Sequence, residues 1–317
     1  MRRINISCVS ILLSFFLLSS CSPAVSHGIF PTRSPGKTRS TPVIPTSTPS
    51  VGGTPDTTPL RFKARILLSG RSRPDDLTFD SAGRLVFSDV YRGTVNRLNA
   101  NGSLTVLLSG LSGPEGLVYL PDGTLIIAEQ QTNRILAFSS STSSLTVLRV
   151  LPGVPGGGTC KDGVDGIALD PTTGTLIVPD SPIGTVYRMS VDGKKLTLLA
   201  SHIPRPVGAA VDARGNIYVA DECGGALWKI TPAGKTTRMG GFGMLDDVAF
   251  DHHGNVLVTD LKPSIHALIR VRLASGKREI LASQGFIEPQ GLAVDANDDI
   301  YLSDDYADKI VEYVPVR

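Results

Sequence analysis

Ile217-Tyr218-Val219-Ala220-Asp221, Val256-Leu257-Val258-Thr259-Asp260 and Ile300-Tyr301-Leu302-Ser303-Asp304 are three copies of one pattern. Each is a short run of β-branched, aromatic and aliphatic residues that ends on a small residue and an acid. Five residues are too few for a core helix, so each copy reads as a buried strand. Working outward, three earlier stretches match: Leu85-Val86-Phe87-Ser88-Asp89, Leu125-Ile126-Ile127-Ala128-Glu129 and Leu176-Ile177-Val178-Pro179-Asp180. The six closing acids are spaced 40, 51, 41, 39 and 44 residues apart. Periods of this size mean stacked supersecondary units.

Each copy follows another apolar strand across a turn. Asp80 to Gly83, Asp212 to Gly215 and Asp251 to Gly254 share one spacing, and Asp170 to Gly174 has one residue more. Asp caps such a turn and Gly takes the positive φ that closes it. The sixth copy, Asp295-Ala296-Asn297-Asp298-Asp299, lacks the glycine, which leaves Asn297 or Asp298 to replace it. A third strand such as Thr94 to Leu98 and a fourth such as Leu104 to Leu108 complete the unit. Four strands per repeat predict an all-β, six-bladed β-propeller over residues 60–317. The last unit stops after a third strand, Ile310 to Tyr313, while Phe62 to Leu68 looks like a fourth strand without a unit. The N-terminal strand is therefore expected to close the ring and remove its open edges.

Composition narrows the function. Among 317 residues, 31 Lys plus Arg stand against 29 Asp plus Glu, a net charge of +2. That balance predicts no nucleic-acid stripe and no polybasic membrane patch. Four cysteines are too few for a disulfide scaffold. The sequence has no phosphate-cradling glycine loop ending in Lys-Ser/Thr, no His-Glu-x-x-His and no Gly-x-Ser-x-Gly elbow.

The first 21 residues read as an address. Arg2 and Arg3 precede an apolar run, Val9 to Leu18, about half the ~20 residues that span a bilayer. Leu18-Ser19-Ser20-Cys21 looks like a bacterial lipoprotein signal, in which Cys21 receives the lipid. From Ser22 to Pro59, 22 of 38 residues are Pro, Ser or Thr, the composition of a disordered tether. The expectation is an exported domain held on a membrane through its lipid alone. Which membrane is left open.

Pro114-Glu115-Gly116-Leu117-Val118-Tyr119-Leu120-Pro121-Asp122-Gly123 and Val164-Asp165-Gly166-Ile167-Ala168-Leu169-Asp170 resemble the gluconolactonase/regucalcin family of six-bladed propellers. Pro289-Gln290-Gly291-Leu292-Ala293-Val294-Asp295 looks equally like an NHL repeat. The resemblance implies a divalent metal, most often Ca²⁺, at the mouth of the central channel. Its ligands would be acids and an Asn in the residue before the repeat glycine. Asp165-Gly166-Ile167 matches the motif whose Asp doubles as general base. Glu115-Gly116-Leu117 stands where the family carries Asn-Gly-Leu, a departure from its sugar-lactone pattern, although Glu-Gly is itself one of the family's ligand motifs.

On their own terms, the residues at that mouth position are Asp75, Glu115, Asp165, Val207, Asp246 and Gln290. Four are carboxylates, and acids crowded around a narrow mouth must take up protons or bind a cation. The expected metal set is Glu115, Asp165, Asp246 and Asp75, with Gln290, Asp76 and Asp247 on the rim. Either member of Asp75-Asp76 and of Asp246-Asp247 can face the channel. The bland alternative is a solvated acidic rim. The strand-ending acids occur in every unit and read as acceptors for loop amides. His202 and His266 fall on the mouth side and are secondary candidates for a base. His252 and His253 fall on the opposite face. Lys161 and Arg205 flank the mouth as possible guides for an anion. Cys160 and Cys223 lie in adjacent units and can pair in an exported protein. The expected activity is metal-dependent hydrolysis of a lactone or small ester by a monomer acting on a small molecule. The alternatives are a non-catalytic cell-surface propeller that binds a ligand, glycan or protein, and a streptogramin-lyase-like eliminase. The lyases have similar Pro-Gly repeats, but that family looks seven-bladed and uses histidine.

Overall fold

The computed structural model describes residues 61–156 and 160–316. The signal, Cys21 and the tether lie outside the described residues. Among the described residues, six antiparallel sheets of four strands each form a six-bladed β-propeller. Among the described residues the only helical turns are single 3-10 turns at Gln130–Thr132 and Ser181–Ile183. None is long and apolar enough to cross a membrane.

The ring closes as expected. Arg61–Ser69 pairs antiparallel with Lys309–Val316, so that Phe62 lies opposite Pro315 and Leu68 opposite Ile310. The last sheet is thus made from both ends of the domain. Arg65 and Glu312 reinforce the seam with a two-pronged contact, Nε to Oε2 at 2.6 Å and Nη2 to Oε1 at 3.0 Å.

Burial explains the composition of the strands. The second strand of the first blade, Leu85–Asp89, is buried throughout, as are Leu125–Glu129, Ile217–Asp221 and Val256–Asp260. A strand packed by a neighbouring blade on each face has no wet side, so the apolar run does not alternate. The outermost strands, such as Ser144–Val150 and Thr236–Gly240, are largely exposed and more polar. The core is correspondingly divided into six clusters at the junctions of adjacent blades. One joins Ile126 and Leu176, another Leu257 and Leu302, and the closing one Phe87 and Ile310.

The turns follow the sequence reading. Gly83, Gly215 and Gly254 have φ of 70°, 75° and 74°. In the sixth copy Asp298 takes that role at φ 64°, and its N–H donates to Asp295 O at 3.1 Å. The strand-ending acids are buried acceptors. Asp221 receives the N–H groups of Arg205 and Gly224 and the indole N–H of Trp228, at 3.1, 2.8 and 2.9 Å. Asp260 receives Gly243, Met244 and Lys262 N–H, and Asp304 receives Ile287, Glu288 and Ala307 N–H. Asp221, Asp260 and Asp304 thus each close the loops on both sides of their own strand.

Candidate active site at the channel mouth

The innermost strands come so close around the axis that side chains are excluded from the residue after four of the six mouth positions. A Cβ on Gly166 would stand 2.7 Å from Gly208 Cα, and one on Gly116 2.4 Å from Asp165 O. Glycine is required there by close backbone approach. Two units have aspartate instead. Asp76 turns along the ring and accepts Leu117 N–H of the next blade at 2.6 Å, and Asp247 does the same with Leu292 N–H at 2.7 Å. This resolves the Asp-Asp pairs: Asp75 and Asp246 line the mouth cavity, while Asp76 and Asp247 brace neighbouring blades.

That cavity measures about 560 Å³ and gathers Asp75, Glu115, Asp165, Asp246 and Gln290. The four acids are 6–9% exposed. Burial, followed by the charges of the other acids, pushes Asp75, Glu115 and Asp246 well above the usual carboxylate range. Asp165 is raised by burial but pulled back by Arg205 and by a hydrogen bond from Glu115. Glu115 is thus raised further than Asp165, which has the guanidinium of Arg205 beside it.

A second tier stands above the first. Val90, Gln130, Glu222, Leu261 and Asp305, each directly after a strand-ending acid, also line the cavity. Asp305 is 2% exposed, and burial together with the charge of Glu288 pushes it up to about 6. Arg73 holds its Oδ2 at 3.3 Å and stacks on the rings of Tyr91 and Tyr306, 3.3 and 4.3 Å from their centroids. Glu222, Asp305, Tyr91 and Tyr306 were not singled out from the sequence. Their signal was present as a column: the one or two residues after each strand-ending acid.

Arg205 differs most from expectation. It is not an exposed guide for anions but 8% exposed and enclosed by acids. Its Nη2 lies 3.1 Å from Asp165 Oδ2 and 3.6 Å from Asp162 Oδ2, and Nη1 meets Glu222 Oε2. Lys161 does not line the cavity and donates to Pro182 O at 3.0 Å. His202 and His266 do not line it either; His202 pairs with the hydroxyl of its neighbour Ser201 at 2.9 Å. His252 and His253 pair with Asp298. Cys160 and Cys223 form a disulfide with Cα atoms 6.1 Å apart, tying the loop before the third blade to the residue after Glu222.

An all-oxygen donor set suits a hard divalent cation. As arranged, however, a guanidinium stands among the donors. Among the described residues, no three or more His, Cys, Asp or Glu side chains are gathered closely enough to hold an ion. The side chains form a carboxylate–guanidinium cluster rather than an open ion cage.

Comparison with known proteins agrees with the fold. Residues 64–207 match the family described as the SMP-30/Gluconolactonase/LRE-like region. No curated protein matches the sequence. A gluconolactonase from Xanthomonas campestris superposes with a TM-score of 0.65 at 16% identity, covering 82% of this chain and 96% of that one. Virginiamycin B lyase from Staphylococcus aureus gives 0.60 at 18%, covering 76% and 80%. A structure of a nidogen/laminin complex gives 0.59 at 19%, covering 70% and 85%. At such identities the likeness is one of fold.

Proposed function

Taking the chain as a gluconolactonase-like six-bladed propeller, we propose that it hydrolyses a lactone or other small ester in the channel-mouth cavity. One observation carries this reading: Glu115 and Asp165 are buried carboxyls that line one cavity of substrate size, with Arg205 3.1 Å from Asp165 alone of the two. Two carboxyls whose environments split their protonation supply a base and an acid at one pH. Asp165, whose ionised form Arg205 favours, takes a proton from the attacking water. Glu115 returns one to the departing alcohol oxygen. The divalent ion expected at Glu115, Asp165, Asp246 and Asp75 is left out of these steps, because Arg205 already stands among those donors. The placement of His202 and His266 away from the cavity gives no support to histidine-driven elimination.

Asp165→Asn should lower kcat on a responsive lactone or ester by at least about 100-fold with the melting temperature preserved. Equal turnover by wild type and Asp165→Asn would refute the assignment. If a broad lactone and ester panel yields no turnover at all, the cavity is better read as the binding site of a non-catalytic cell-surface propeller.

The same reading places the domain outside the cytoplasm on a lipid at Cys21, supported by Leu18-Ser19-Ser20-Cys21 and by the disulfide. A Cys21→Ser variant should lose membrane association in fractionation, and an unlipidated variant still in the membrane fraction would overturn it.

A further inference from the structure

The mouth positions of the six blades are acidic in four cases and amide in one; the remaining one is Val207. In that blade the chain brings a cation instead, from two residues upstream. Arg205 is held at its backbone by Asp221 Oδ1, 3.1 Å from its N–H, so the strand-ending acid fixes where the side chain starts. The side chain then runs into the cavity. Nη2 takes Asp165 at 3.1 Å, and Nη1 takes Glu222. Glu222 is itself held by its neighbour Cys223, bonded to Cys160. Two blades are thus clamped around one guanidinium. Its Nε is buried without a hydrogen-bond partner, which marks a group positioned for charge rather than for a complete set of hydrogen bonds. Arg205 is also the one attractive charge acting on all four mouth acids.

We propose that Arg205 is the built-in cation of this mouth, a positioning residue that stands in the place of a divalent ion and excludes it. A guanidinium and an ion drawn to the same buried carboxylates compete, since their like charges repel most strongly where the dielectric is low. Arg is suited to the role because it stays charged when buried and engages carboxylates from two sides at once. Val207 fits the same account: an acid there would need a further counter-charge.

The test uses the purified full chain after EDTA treatment, with Ca²⁺ alone as the probe, read by calorimetry and by the shift in melting temperature. Wild type should bind Ca²⁺ at least about tenfold more weakly than Arg205→Met, and Arg205→Lys, which keeps the charge, should resemble wild type. Should Arg205→Met fail to fold, Arg205→Gln removes the charge while keeping a polar side chain and sparing every acid. It should tighten Ca²⁺ binding severalfold. Wild type binding Ca²⁺ as tightly as these variants would overturn the proposal. So would a folded Arg205→Met, or a folded Arg205→Gln standing in for it, that binds no better than wild type. Because ion binding is read without turnover, failure of the hydrolysis reading leaves this result standing, and the reverse holds too.

Discussion

The propeller carries two rings of buried acids, and they have opposite physics. The strand-ending ring, Asp89, Glu129, Asp180, Asp221, Asp260 and Asp304, is 0–1% exposed, yet its members receive loop N–H groups and cationic side chains. Burial pushes Asp89 and Glu129 upward, but hydrogen bonds from Ser72 and Thr132, from backbone N–H groups and from Arg92 and Arg134 outweigh it and leave both below the usual range. Asp180, which has Asn133 and Gly153 as donors but no cation, is raised because burial wins there. The mouth ring is buried to a similar degree but faces other acids, and burial plus mutual repulsion lift it. Burial alone therefore says little about what an acid does. The partners decide: donors make it a structural clamp, and like charges make it a store of protons and of unfavourable energy, the usual mark of a working site.

The same substitution in each ring should separate them most. Asp221→Asn places an NH₂ group among N–H donors that it cannot accept, and should cost about 2–4 kcal/mol in denaturant unfolding. Asp246→Asn removes a repelled charge and should leave stability at pH 7 unchanged or raise it by about 1 kcal/mol. Similar losses for both variants would break the distinction.

A smaller effect lies in the pH dependence of stability. Asp305 is raised to about 6 by burial, facing Glu288, Arg73, Gln290 and Tyr306. A carboxyl with a raised folded-state value holds its proton longer in the folded chain than in the unfolded one. Its contribution is present below about 4 and is lost as pH rises from about 4 to about 6. Asp89 and Glu129 act the other way, losing their contribution as pH falls below the usual range. Thermal melts from pH 4 to pH 7 should thus decline less steeply for Asp305→Asn than for wild type, by up to about 3 kcal/mol over that range. Parallel melting curves would remove Asp305 from the proton-holding set.

Much of the fold was legible because a propeller repeats its physics. Every blade needs a strand buried on both faces and an acid to close its loops, so Leu85–Asp89 and Ile300–Asp304 look alike although 215 residues separate their starts. The mouth column was legible for the same reason, since close approach at the axis demands glycine after Glu115, Asp165, Val207 and Gln290. The second tier was harder to see. Val90, Gln130, Glu222, Leu261 and Asp305 share a position but mix apolar, amide and acidic side chains, so the column shows only once the units are aligned on their strand-ending acids.

By itself, then, the order of residues determined the number of blades, their strands, the closing strand and the acids at the mouth, because these depend on local periodicity and on backbone packing that recurs in each unit. Only the tertiary structure decided which aspartate of each pair faces the cavity, that Glu115 and Asp165 are buried in one cavity, and that Arg205 turns inward. Those outcomes depend on distances between blades some 40 residues apart in the chain. Direction and charge balance there are settled by whichever donor or acid the neighbouring blade presents, as Leu117 N–H does to Asp76 and Asp165 does to Arg205.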